Sequence, residues 1–148
     1  MDAVKLIKDD HKKVKDLFRQ FEKARTADRK MAIAQEVFQE LDVHAEIEEE
    51  IFYPAAKAKA DREGKELVAE AVEEHHVVKM LISELKAMPQ VNEQFEAKFT
   101  VLIENVEHHI EEEEQEMLPD AREKLGDDIQ ALGDEMQARK DELMAGAH

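Results

Sequence analysis

Apolar residues recur three and four places apart through nearly the whole chain. That spacing belongs to helices with one buried stripe, not to the alternation of strands. Val14, Leu17, Phe18 and Phe21 show it early, and Leu102, Ile103 and Val106 show it late. Asp2 can cap a first helix, while Thr26–Asp28 breaks it and offers Asp28 as the next cap. A second helix is predicted from Arg29 to about Lys59, loosened at Pro54, and Gly64 marks the next break. The third runs to Met88, where Pro89 stops it; Asn92 can cap a fourth that reaches Leu118 before Pro119. Gly126-Asp127-Asp128 opens a shorter fifth segment with Ile129, Leu132, Met136 and Leu143 on one stripe. Short connections favour antiparallel neighbours. The expected fold is therefore all-α: an antiparallel up-down-up-down four-helix bundle with a short C-terminal fifth helix. Residues 1–148 read as one domain, with the bundle over about 3–120 and the helical extension over about 127–145.

The pattern also repeats at long range. His11, Val14, Leu17, Phe18 and Phe21 are matched 64 places later by His75, Val78, Leu81, Ile82 and Leu85. Val37, Phe38, Leu41, His44, Glu48, Phe52 and Pro54 are matched 65 places later by Leu102, Ile103, Val106, His109, Glu113, Met117 and Pro119. Two helical hairpins of one design are implied, each contributing half of something. Core positions and His/Glu positions repeat together.

This repeat decides which residues of "HHIEEEE" at 108–114 turn inward. His109 lies three places after Val106 and seven after Leu102, on the apolar stripe, whereas His108 follows Asn105, Glu104 and Val101 on a mixed face. By the same test His75 points in and His76 out. Glu113 and Glu48 stand four residues after His109 and His44, displaced by only about 40° around the helix. Counting from the helix ends brings His11, His44, His75 and His109 to roughly one level. Glu111, Glu112, Glu114 and Glu116 are read as a solvated face, and His76, His108 and His148 as solvated histidines. Tyr53, nine residues beyond His44, falls about 180° around the helix from it and is read as pointing away.

A single core histidine is ordinarily a structural residue. Four imidazoles and two carboxylates buried together are a different case, because without compensation they would cost many kcal/mol. A metal supplies that compensation.

Composition narrows the choice further. The chain has no cysteine, which excludes disulfides, thiolate zinc sites and iron–sulfur clusters. Its net charge of −16 argues against nucleic-acid and anionic-membrane partners. No apolar run approaches transmembrane length and no signal-peptide core begins the chain, so a cytoplasmic location is expected. Six imidazole and carboxylate ligands are too many for one tetrahedral zinc. They suit a pair of octahedral ions with open positions, iron first and manganese second. No Glu-x-x-His pair lies on a buried face, as a ferritin-like site would need.

The order of His11, "HAEIE" from His44 to Glu48, His75, and "HIEEE" from His109 to Glu113 resembles the hemerythrin-like HHE cation-binding domain. The resemblance covers about residues 3 to 120, including Pro54 and Pro119. It implies an antiparallel four-helix bundle around a non-haem, oxo- or hydroxo-bridged di-iron centre. By match to the motif, Glu48 and Glu113 would be the bridging carboxylates and the four histidines terminal ligands. Oxygen-carrying hemerythrin has His-x-x-x-His on its third helix, where this chain has His75 and Lys79. Its last-helix His is followed by Asp at five residues, where this chain has Glu at four.

Two functions follow. One is a di-iron protein that binds or reacts with O2, nitric oxide or peroxide, with enzymatic turnover left open. The alternative is an acidic helical interaction or iron-handling protein with a structural metal, in which the fifth segment serves as a homodimer or partner helix, or packs on the bundle.

Overall fold

The computed structural model describes residues 1–146, so the His148 reading lies outside the described residues. The order is α1 (Ala3–Lys23), α2 (Ala27–Ile47), a π-helical turn (Glu48–Phe52), α3 (Tyr53–Lys59), α4 (Arg62–Lys86), α5 (Glu93–Glu112), a second π-helical turn (Glu113–Met117), α6 (Leu118–Leu125) and α7 (Asp128–Gly146). The capping expectations hold at Asp2, whose carboxylate accepts from the Lys5 N–H, and at Asn92, whose side chain accepts from the Phe95 N–H. The cap of α2 is Thr26 rather than Asp28: its hydroxyl accepts from the Arg29 N–H, and Asp28 lies in the first turn. Gly64 is likewise no break. It sits in the first turn of α4, where Asp61 caps the helix by accepting from its N–H. A Cβ at Gly64 would stand 2.8 Å from Ala60 Cβ and 2.9 Å from Asp120 Oδ2, so close packing explains the glycine.

Cross-helix pairs fix the topology. Asp10 meets His44 and Lys13 meets Glu40; Glu74 meets His109 and Glu84 meets Lys98. Asp42 meets Lys86 and Glu49 meets Lys79; Arg19 meets Glu107 and His11 meets Glu114. In every pair a later residue of one helix faces an earlier residue of the next. Neighbouring helices are therefore antiparallel, as an up-down-up-down bundle requires.

Two apolar clusters fill the bundle. Phe18, Phe21, Phe38, Phe95 and Phe99 centre one of them, with the Phe21 and Phe99 rings stacked at 4.0 Å. The other gathers Leu6, Ile7, Ile47, Phe52 and Leu118, and it takes in Ile129 and Met136 of α7. Between them lies a layer of buried polar residues: Asp10, His11, His44, Glu48, His75, His109 and Glu113.

Pro119 does not end the fourth helix. Both prolines are absorbed at the start of a continuing α-helix, after a π-helical turn that begins at each predicted glutamate. The Tyr53 N–H donates to Glu48 O and the Leu118 N–H to Glu113 O, five residues back. The widened turn accommodates a residue with no N–H to donate.

The fifth segment packs along α1 and α2. Ile129 and Met136 are buried and Leu132 and Leu143 partly so, as their stripe predicts. A Cβ at Gly133 would fall 2.2 Å from Met1 O and 2.6 Å from Ala3 N, so α7 lies directly on the N-terminal backbone.

Candidate metal centre

The bundle brings together all six residues that the sequence singles out, and each is at most 7% exposed. α1 supplies His11, α2 His44, α4 His75 and α5 His109; Glu48 and Glu113 open the two π-helical turns. The imidazoles form two pairs, His11 with His44 (ring centroids 5.1 Å apart) and His75 with His109 (4.9 Å). Each carboxylate spans both pairs. Glu48 Oε1 lies 3.0 Å from His44 Nε2 and 3.2 Å from His75 Nε2. Glu113 Oε1 lies 3.0 Å from His11 Nε2, and its Oε2 lies 3.3 Å from His109 Nε2.

The other ring nitrogen of every histidine meets a second carboxylate. His44 Nδ1 lies 2.9 Å from Asp10 and His109 Nδ1 lies 2.7 Å from Glu74, each within one hairpin. His75 Nδ1 lies 2.9 Å from Glu49 and His11 Nδ1 lies 2.7 Å from Glu114, each between hairpins. These four carboxylates obey the same repeat, Asp10 with Glu74 at 64 and Glu49 with Glu114 at 65. They turn each ring so that Nε2 faces the centre. Glu114 is thus not part of a solvated face, because it is drawn in across the bundle by His11. The signal was present in the sequence as an acidic residue before the first inward histidine of each hairpin and after each inward glutamate. His76 and His108 face solvent.

The electrostatics are those of a compact buried ion network. Burial alone would lower the His109 pKa, but Glu113, Glu48 and Glu74 outweigh it and raise the value to about 9. His11 is raised against the same burial penalty by Glu113 and Glu114. His44 is raised well above its ordinary value, with Glu48 and Asp10 overcoming complete burial. Burial pushes Glu113 upward, yet its contacts with His109 and His11 hold it well below the usual carboxylate range.

Tyr53 corrects the sequence reading. It is 2% exposed, and its hydroxyl donates to Glu113 Oε2 at 2.6 Å while standing 3.3 Å from His75 Nε2. One extra residue in the π-helical turn swings everything beyond it by about 100°, which converts the expected 180° into about 80°. Burial and the charges of Glu48 and Glu113 push its pKa well above that of a free phenol. Tyr53 is therefore a neutral donor here.

Beside the imidazoles lies a small cavity of about 30 Å³, lined by all four histidines with Val14, Val78, Ile82, Val106 and Ile110. Lys79 also lines it. Its ammonium extends outward and bonds Glu49 at 2.8 and 3.1 Å, as expected for a lysine that lays its stem along the bundle.

The hemerythrin HHE cation-binding domain family matches residues 2–121. The chain belongs to that family. The HHE chain is 29% identical to a hemerythrin HHE cation-binding domain-containing protein of Mycobacterium kansasii, whose crystal structure superposes with a TM-score of 0.85 over 99% of this chain and 90% of that one. It is 30% identical over 120 residues to uncharacterized proteins of Mycobacterium tuberculosis and Mycobacterium bovis, covering 80% of this chain and 71% of theirs. An uncharacterized hemerythrin-like protein of Schizosaccharomyces pombe is 28% identical over 110 residues. This chain spans 74% of its own length in that match but only 54% of the yeast protein.

The HHE residues fit a metal pair. The Nε2 atoms of His11, His44 and His109, both carboxylate oxygens of Glu48 and Oε1 of Glu113 are buried, and close as they lie to one another none is aligned for a hydrogen bond. Two groups of donor atoms, from His11, His44, Glu48 and Glu113 and from Glu48, His75 and His109, lie within 4.8 Å of one another. Glu48 belongs to both groups. Orphaned atoms that converge from α1, α2 and α5, with the π-helical turns that continue the last two, mark a place for cations rather than a packing fault. No helix among the described residues is long and apolar enough to cross a membrane.

Proposed function

We propose that this chain is a non-haem di-iron protein whose buried site binds or reacts with O2, nitric oxide or peroxide. The observation that supports it most is the bridging pattern, in which each of two buried carboxylates touches one imidazole from each pair. His11, His44, Glu48 and Glu113, with His75 and His109, would hold two ions, and a donor set of imidazoles and carboxylates suits iron first and manganese second. Iron bound there would supply Lewis acidity and one-electron redox chemistry to a small ligand.

The chain's own residues set the terms. Glu114, Asp10, Glu49 and Glu74 hold the four rings by Nδ1. The Val14, Val78, Ile82 and Val106 side chains keep the approach narrow and apolar, which admits small neutral molecules and disfavours charged or bulky ones. Tyr53 carries a proton at Oη, 2.6 Å from Glu113, where it can steady that carboxylate or be passed toward a bound molecule. Lys79 replaces the second third-helix histidine of oxygen-carrying hemerythrin and keeps its ammonium on Glu49. α4 would therefore offer a single imidazole, His75, to a bound ion. Fast reaction with peroxide or O2 is therefore expected in place of a long-lived oxygen complex.

Optical spectra of the iron-loaded protein, recorded with azide, O2, nitric oxide and peroxide, test this reading. Changes with one or more of these small ligands are expected. Spectra indifferent to all four would instead support a structural or iron-storing role.

A further inference from the structure

The cavity beside the imidazoles is not placed symmetrically in the bundle. It holds about 30 Å³, room for about two waters or one diatomic molecule. Its apolar lining comes mostly in pairs related by the internal repeat: Val14 with Val78, Leu41 with Val106, Ala45 with Ile110. Four lining residues have repeat mates that do not line it. One of them, Asp10, is buried beneath Lys140. The other three, Asp42, Lys79 and Ile82, all stand on the seam between α2 and α4. The Asp42 and Lys79 side chains are nearly half exposed, so on this side the cavity reaches the surface.

That seam has the form of a framed window. Asp42, Ala45 and Glu49 recur three and four places apart and share one face of α2; Lys79, Ile82 and Lys86 do the same on α4. Lys79 donates to Glu49 at 2.8 Å and Lys86 to Asp42 at 3.0 Å. These two ion pairs stand about 10 Å apart along the helices. On the facing stripes between them lie Ala45 and Ile82.

The repeat supplies its own comparison. The equivalent seam joins α5 to α1, where Glu107 meets Arg19 and Glu114 meets His11. The places of Ala45 and Ile82 are taken there by Ile110 and Phe18, which are 2% and 0% exposed. Ile110 carries three more carbons than its mate, and Phe18 fills its position with a ring packed edge-on to Phe99. One seam is plugged while the other is thinned.

We propose that small neutral molecules enter the buried site through the seam between α2 and α4, and that Ala45 and Ile82 set its width. A diatomic molecule needs only a brief parting of apolar side chains there. A larger or charged one would have to break the flanking ion pairs. The role of this entrance rests on reading the buried site as a small-ligand centre, whereas the route itself does not. Ala45 follows His44 as Ile110 follows His109, so the fold accommodates a larger side chain beside an inward histidine.

The test follows nitric oxide binding to the iron-loaded protein by stopped-flow spectroscopy. Ala45→Ile and Ile82→Phe each import the residue that the repeat mate carries. Both should keep the iron content and the spectrum of the unliganded protein. A narrowed entrance slows entry and escape alike, so association and dissociation rates should each fall about tenfold while affinity stays within about twofold. Val77→Phe, which adds bulk on the exposed outer face of α4, should change neither rate. Unchanged rates in both seam variants, or weaker binding from faster dissociation, overturn the entrance. A second arm uses metal-free protein under pressurised O2, whose paramagnetism shortens the NMR relaxation of methyl groups that it approaches. The Val14 and Ile110 methyls, on the far wall of the cavity, should relax faster in the parent chain than in either seam variant. Equal relaxation overturns the route whether or not the protein takes up iron. A parent spectrum indifferent to nitric oxide would refute the small-ligand reading instead, and the O2 arm would still decide the route.

Discussion

The Tyr53 hydroxyl reaches across the site to Glu113, 60 residues away in sequence, and donates to Oε2 at 2.6 Å. It can do so only because a π-helical turn intervenes between Glu48 and Tyr53. Tyr53→Phe removes the donor and leaves a buried carboxylate oxygen short of a partner. Metal affinity should fall by about 10- to 100-fold, the usual effect of losing an outer partner of a ligand, while helix content is unchanged. Competition against a chelator reads this directly, and an unchanged affinity would show that the hydroxyl does not steady Glu113 in the loaded protein.

Adjacent histidines should behave oppositely. His109→Ala and His75→Ala remove inward imidazoles and should lose metal, whereas His108→Ala and His76→Ala should retain the buried ions. Metal content of the four purified variants decides the matter. Equal loss within either pair would mean that exposure in the fold does not report which imidazole binds.

Stability should depend on pH in opposite senses with and without metal. In the metal-free protein the His109 pKa is raised to about 9, from about 6.5 in the unfolded chain. Its contribution is therefore fully present below about pH 6.5 and disappears as pH rises through about 9. His11 and His44, also raised, act in the same sense. Glu113, held low, contributes above about pH 4.5 and loses its contribution as pH falls through its folded value. Maximum stability of the metal-free form is expected between about pH 5 and 6.5. Metal requires neutral imidazoles, so the loaded form should instead lose stability on acidification. Tm measured from about pH 5 to 9 should fall with rising pH in the metal-free form and rise in the loaded form, and parallel curves would contradict the account.

Lys140 ties α7 to the centre through Asp10, which in turn holds His44. Lys140→Met leaves a buried carboxylate without its cation, at a cost of about 1–3 kcal/mol. That corresponds to a fall in Tm of about 2–4 °C per kcal/mol for a chain near this size. Gly133→Ala should also destabilise, because its Cβ would meet the Met1 and Ala3 backbone. Wild-type melting of both variants would mean that α7 is not docked as described.

Much of this was legible in the sequence because the two hairpins repeat each other. His44 and His109, like Glu48 and Glu113, could be assigned by a stripe that recurs, and the bundle follows from the same periodicity. What escaped depended on geometry between helices. Nothing in the pattern around Pro54 distinguishes a kink from a widened turn, yet that choice moves Tyr53 from the far side of the helix into the site. Glu114 looked solvated because its partner, His11, is 103 residues away. Gly64 looked like a break, whereas it marks, as Gly133 does, a close approach of elements that only the folded chain brings together.

Elemental analysis of the purified protein, expressed with ample iron, tests the central claim most directly. Two iron ions per chain are predicted, lost together when Glu48 or Glu113 is replaced by Ala because each carboxylate serves both imidazole pairs. A single zinc per chain, or no metal at all, would contradict it.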